Sequence, residues 1–137
     1  METTTVIRTA TLAYVRDRRL LQARSVGKDA FYMAGGKIDP GETPVEALHR
    51  EVREELGVEV ASYSELGVFH CQAYGQPPGV QLHMTCFTAD LTGDPRPTSE
   101  IAELRYFTGS EYAAMPRVAP GSMLVFRHLH ERDLIDW

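Results

Sequence analysis

Residues 35–58 read GGKIDPGETPVEALHREVREELGV, and this stretch decides the fold. Thr43-Pro44-Val45-Glu46 combines a capping box, Thr at the N-cap and Glu three residues on, with Pro at the first helical position, where its missing N–H costs nothing. A helix is therefore expected to start at Thr43. Gly57 is the expected left-handed cap that ends it, since glycine takes positive φ without a Cβ penalty. Between these limits Leu48, Val52 and Leu56 form an apolar stripe. Glu51, Glu54 and Glu55, three and four residues apart, project from the other side.

Like charges at that spacing repel, and only Arg50 is well placed to offset Glu54. By itself an acidic stripe is the ordinary sign of a solvated helix face. The glycine-rich entry shifts the reading. Gly35-Gly36 lets backbone carbonyls approach a hard cation that the carboxylates can share, and oxygen-only ligation suits Mg²⁺ or Mn²⁺ better than zinc.

Gly36, Glu42, Arg50, Glu51, Val52, Glu54, Glu55, Gly57 and Val58 stand at the spacing Gly-x5-Glu-x7-Arg-Glu-Val-x-Glu-Glu-x-Gly-Val. At ordinary composition a random window satisfies the seven identities other than the two valines on the order of once in a hundred million. The pattern resembles the Nudix hydrolase family, of the MutT type, whose members cleave the diphosphate bond of nucleoside diphosphates linked to another group. The resemblance implies an α+β chain with the Nudix α/β/α sandwich, a mixed sheet between helices. One departure is Ala34, where the family commonly has Pro before the two glycines.

Carried over residue by residue, the resemblance makes Glu51 and Glu55 the main metal ligands. Glu54 becomes a supporting ligand or base, Gly36 a carbonyl contact and Arg50 the arginine that orients the cluster. A further carboxylate often comes from outside the motif; the segment Ser99 to Phe107 offers Glu100 first and Glu103 second, as metal ligand or general base. Arg24 and Lys37 are candidate phosphate contacts, or plain surface charge. Phe31, Tyr32, Tyr74 and Phe87 are candidates to stack a base, although aromatics in strands more often belong to the core; Tyr32 and Phe87 are singled out.

Composition agrees with one domain, residues 1–137, long enough to bury its own core. A net charge of -5 without a basic stripe argues against a nucleic-acid polymer as partner. Residues 1–10 contain no apolar leader core and no stretch reaches the length of a membrane span, so a cytoplasmic monomer or homodimer acting on a small nucleotide is expected. Cys71 and Cys86 lack a metal spacing and read as free thiols.

Around the helix, Thr5 to Tyr14 and Leu20 to Arg24 read as strands joined by the solvated turn Arg16 to Arg19. Glu65 to Tyr74 and Val80 to Asp90 form a hairpin, Ile101 to Phe107 a last strand and Pro120 to Ile135 a closing helix. A P-loop is rejected: Phe31 stands where its first Gly belongs and Ile38 where Ser or Thr belongs. His128 and His130 read as surface residues, and His49 and His70 as structural; His83 alone lies on a strand expected to pass near the ligand.

The expected activity is metal-dependent hydrolysis of a nucleoside triphosphate or related diphosphate derivative, an oxidised purine nucleotide among the candidates. The alternatives are a hydrolase of dinucleoside polyphosphates, ADP-ribose or capped RNA, an isoprenoid diphosphate isomerase, and a binding-only Nudix module. The isomerase needs a nucleophilic Cys that neither Cys71 nor Cys86 clearly supplies, and a binding-only module typically loses box carboxylates, all of which stand here.

Overall fold

The computed structural model describes residues 5–137, so the first four residues of the segment read for a leader lie outside the described part. A mixed four-stranded sheet is ordered β4-β1-β6-β5. Its strands are β1 (Thr5–Leu12), β4 (Ala34–Lys37), β5 (Val60–Gln72) and β6 (Val80–Leu91). β1 and β6 run parallel, whereas β4 and β5 join their neighbours antiparallel. A second, antiparallel sheet holds β2 (Val15–Arg16), β3 (Arg19–Ser25) and β7 (Ile101–Phe107). The helices are α1 (Pro44–Leu56), α2 (Gly109–Ala113) and α3 (Pro120–Glu131). The expected α+β sandwich, a mixed sheet between helices, is the observed architecture.

Alternation along the strands assigns the two faces of the large sheet. Ala10, Leu12 and Phe87 meet the α1 stripe of Leu48, Val52 and Leu56 in one core cluster. Met84 and Cys86 point the other way, into a second cluster with Met123, Phe126 and Leu129 of α3. Each helix thus lays its apolar stripe on one face, and neither stripe is left in water.

Both expected caps of α1 are present. Thr43 accepts from the Glu46 N–H while the Glu46 side chain accepts from the Thr43 N–H, and Gly57 ends the helix at φ 66°. Its last carbonyls are taken up by the loop that follows β6: the Arg96 N–H donates to Leu56, the Thr98 N–H to Glu55 and the Thr98 hydroxyl to Glu54. That loop is therefore tied to the acidic end of the helix.

Several boundaries differ from the sequence reading. The first strand stops at Leu12, and a separate two-residue strand starts at Val15. The turn after it has Asp17 and Arg18 at φ 51° and 61°, the left-handed pair that closes a two-residue hairpin. Arg16, Arg18 and Arg19 of this turn all pair with carboxylates, of Asp94, Asp133 and Asp136, and Glu111 respectively. β5 begins at Val60, ahead of the expected Glu65, and α3 ends at Glu131, ahead of the expected Ile135. β4 and α2 were not expected at all. Cys71 and Cys86 are free thiols, as read from the sequence.

Candidate active site

β4 lies along β1 with Gly35 opposite Thr11 and Gly36 opposite Ala10, and α1 packs across it. Gly35 is obligatory there, and Gly36 leaves room for a carboxylate. Gly35 sits at φ 129°, and a Cβ on it would run into the Ala10 carbonyl. A Cβ on Gly36 would fall 2.7 Å from Oε1 of Glu51. The missing side chain of Gly36 thus lets the Glu51 carboxylate approach the backbone of β4, while that of Gly35 lets β4 lie against β1.

Glu55 turns its Oε1 toward this strand and accepts the Gly35 N–H at 2.6 Å. Burial pushes its carboxyl up to about 8; the Gly35 bond opposes the rise, while Glu51, Glu54 and Glu100 add to it by charge. Glu51 is also raised, again by burial first, with the Arg50 hydrogen bond opposing. Glu54 stands at the exposed edge of the face.

Arg50 organises the group more widely than its placement beside Glu54 suggested. Its guanidinium donates to both oxygens of Glu42 at 2.8 and 2.9 Å, to Glu51 at 2.7 Å, to the Lys37 carbonyl at 3.0 Å and to Glu54 at 3.4 Å. These bonds, Glu42 first, hold its charge even more firmly than usual. They also pull the Glu42 carboxyl down to about 2, Arg50 being the larger cause and the Asp39 N–H the next. Glu42 is the partner to which the sequence reading gave no role.

Of the two outlying carboxylates, Glu100 follows the loop tied to α1 and lies close enough to Glu55 to raise its carboxyl. Glu103 sits within β7 opposite Arg24, where it accepts from Arg24 at 3.4 Å and from Arg105 at 2.9 Å. Arg24 in turn donates to the Lys28 carbonyl, and Lys37 ends β4 with an exposed side chain. Neither of these two cations lines the cavity beside the glycines.

That cavity has a volume of about 220 Å³ and opens against Gly35 and Gly36 on the face of the sheet opposite α1. Tyr32 lines it, in edge-to-face contact with Tyr74 at 5.9 Å between centroids. Phe87 does not reach it. It is 2% exposed on the α1 face, against Tyr63, because alternation along β6 turns it away from Met84 and Cys86. Phe31 is core as well, edge-on to Phe107. Thr9, Thr11, Met33 and Ser122 line the cavity without having been singled out. An in-facing polar pair at i, i+2 in an apolar strand was the available signal.

Two histidines, His83 and His128, are placed differently from the reading. His83 stacks on His70 at 4.0 Å and faces Arg8 and Glu42 on the α1 side, across the sheet from the cavity. His128 is half-buried, edge-on to Phe69 at 5.3 Å, whereas His130 is exposed.

No three His, Cys, Asp or Glu side chains among the described residues stand arranged around a common metal position. Glu51 is engaged by Arg50 and Glu55 by Gly35. The donor set itself is all oxygen, with a buried carboxyl that an adjacent cation would bring back to its ionised form, and so suits a hard divalent ion.

The NUDIX domain model matches residues 6–129, and the chain belongs to the NUDIX family. It is similar to an RNA pyrophosphohydrolase of Halorhodospira halophila, 47% identical over 51 residues, which are 37% of this chain and 28% of that protein. A candidate 8-oxo-dGTP diphosphatase of Bacillus subtilis is 32% identical over 94 residues, 69% of this chain and 53% of that one. The chain thus spans between 28% and 53% of these curated relatives. The solution structure of the E. coli ORF135 protein has the same fold, with a TM-score of 0.74 at 24% identity over 95% of this chain and 92% of that one. Among the described residues no helix is long and apolar enough to cross a membrane.

Proposed function

We propose that the chain hydrolyses a diphosphate bond of a nucleoside triphosphate or closely related nucleotide, with Mg²⁺ or Mn²⁺ as cofactor and an oxidised purine nucleotide among its substrates. The observation that carries this reading is the buried carboxyl of Glu55, bonded to the Gly35 N–H on one side of a strand whose other side opens into a base-sized cavity. Glu51 and Glu55 would hold the cation, with Glu54, Glu100 and the Gly36 carbonyl as further oxygen donors. A divalent ion bound there supplies neutralisation of the diphosphate oxygens and a more acidic attacking water.

The chain's own groups do the rest. Arg50 keeps Glu51 and Glu54 from swinging apart through charge-assisted hydrogen bonds. Glu100 or Glu54 takes the proton of the attacking water, and Tyr32 covers the base. Lys37 and Arg24 would meet phosphate only after side-chain movement, Arg24 by leaving Glu103.

The match to an RNA pyrophosphohydrolase covers 51 residues only and does not move the reading toward RNA, which a chain of net charge -5 would repel. A panel of nucleoside triphosphates, dinucleoside polyphosphates, ADP-ribose and 5′-triphosphorylated RNA, assayed with Mg²⁺ and followed by identification of products, tests the proposal. Release of a nucleoside monophosphate and pyrophosphate is expected; turnover confined to ADP-ribose or RNA would overturn it.

A further inference from the structure

Across the sheet from the cavity beside the two glycines lies a basic cluster that the proposed reaction does not use. Arg8 on β1 stands opposite His83 on β6, and His83 stands opposite His70 on β5, so three basic residues form one row over three adjacent strands. Arg8 shares its face with Ala10 and Leu12, and His83 shares its face with Phe87, by the two-residue period of a strand. That is the α1 face. Yet Arg8 and His70 are exposed and His83 only half-buried, so α1 leaves this part of the face open. All three line a second cavity, of about 250 Å³, together with Ile38 and Val68.

The charges in this wall are not balanced. Arg16, Arg18, Arg19 and Arg50 each pair with a carboxylate, whereas the Arg8 guanidinium has no such partner among the described residues. Glu42 is the one carboxylate in the wall, and both of its oxygens already accept from Arg50. No other charged side chain lines the cavity. The two imidazoles make no side-chain hydrogen bond among the described residues and stack 4.0 Å apart, 17° from parallel. Burial first, then the neighbouring His70 ring and Arg8, push His83 below its ordinary value. A cation arriving here would meet the same Arg8 charge, which also opposes a transition metal on the histidine pair. An anion is attracted by all three residues.

We propose that Arg8, His70 and His83 form a binding site for a phosphoryl anion, separate from the candidate active site. Donors from three strands around one concavity match a tetrahedral oxyanion, whose several oxygens can each accept from one of them, better than a carboxylate that two donors would satisfy. Protonation follows from the sign of the charges. A bound anion favours the imidazolium that Arg8 and the second ring disfavour, so the pair takes a proton from solvent on binding and affinity rises as pH falls. The site stands whether or not the chain hydrolyses a nucleotide.

Histidine NMR reads the site directly. When inorganic phosphate is added to the Mg²⁺-loaded protein, the imidazole resonances of His70 and His83 should shift saturably while those of His49, His128 and His130 stay in place. Arg8→Gln, at an exposed position, should weaken binding about tenfold or more, the range of a lost charge-assisted hydrogen bond. Sulfate, whose own charge stays constant, should bind several-fold tighter at about pH 6 than at about pH 8, and the double variant His70→Gln, His83→Gln should lose that dependence. A parallel titration with glycerol phosphate names the source: binding as tight as that of phosphate assigns the site to a phosphate ester, and exclusion assigns it to the free ion. No saturable shift in the unmodified protein, or shifts shared equally by all five histidines, would overturn the proposal without need of a variant. So would unchanged affinity in Arg8→Gln or sulfate binding indifferent to pH.

Discussion

The Gly35 N–H donates to Oε1 of Glu55 across 2.6 Å, joining the edge strand to the buried end of the acidic helix. This bond is made by a residue whose φ of 129° excludes other side chains, to a carboxyl that burial has pushed up to about 8. In the proposed reaction, metal, cavity and chemistry meet at this point.

If Glu55 and Glu51 hold the cation, Glu55→Gln and Glu51→Gln should each lower kcat by roughly two to four powers of ten without unfolding α1. His130→Ala, at an exposed position, should change little. Steady-state kinetics alongside circular dichroism checks this; near-native kcat in both glutamine variants would remove these residues from the reaction.

The raised carboxyl also has a consequence for stability. Glu55 titrates near 8 in the folded chain against an ordinary value of 4.5, so the folded state keeps a proton that the unfolded state has lost between those pH values. Its contribution is fully present below about 4.5 and is lost as pH rises through 8. Urea unfolding of metal-free protein should show stability falling between these limits, and subtracting the Glu55→Gln curve should remove most of that fall. Saturating Mg²⁺ should remove it as well. A flat metal-free profile would contradict the burial of a protonated Glu55.

Thr43→Ala removes the capping hydroxyl from a helix whose other first-turn groups it cannot replace. A loss of about 0.5–2 kcal/mol in unfolding free energy is expected, with activity per folded molecule retained. Denaturant titration and a specific-activity measurement separate the two.

Glu100 and Glu103 differ in what already holds them. Glu103 is engaged by Arg24 and Arg105, whereas Glu100 lies beside Glu55. Glu100→Gln should therefore impair turnover more than Glu103→Gln. A Mg²⁺ titration of both variants decides the role: recovery of rate at high Mg²⁺ makes Glu100 a ligand, no recovery makes it the base, and a larger Glu103 defect refutes the placement.

Helix α1 was legible because its signals are local: a capping box, a proline, a glycine and a stripe with one period. β4 was not, because Ala34-Gly35-Gly36-Lys37 lacks the β-branched and aromatic residues that mark a strand; its pairing with β1 is a tertiary fact. The start of β5 was hidden for a related reason, since residues 61–65 are exposed and show no alternation. α2 could have been found, for Thr108 and Glu111 repeat the capping box seen at Thr43 and Glu46. That Glu51, Glu54 and Glu55 share one side of α1 was readable from their spacing, but Phe87 was misplaced because composition does not say which face of a strand meets the cavity. The Glu42 pairing with Arg50 and the cavity hydroxyls of Thr9 and Thr11 depend on approach between distant segments and carried no comparable local mark.

The most direct test of the account is hydrolysis of a nucleoside triphosphate by exhaustively metal-stripped protein, titrated with Mg²⁺ in parallel with Glu55→Gln. No turnover is expected without metal, with saturable restoration in the unmodified chain and a variant that stays far slower at every concentration. Full activity in the stripped protein, or restoration of the variant to the native rate at ordinary Mg²⁺, would contradict it.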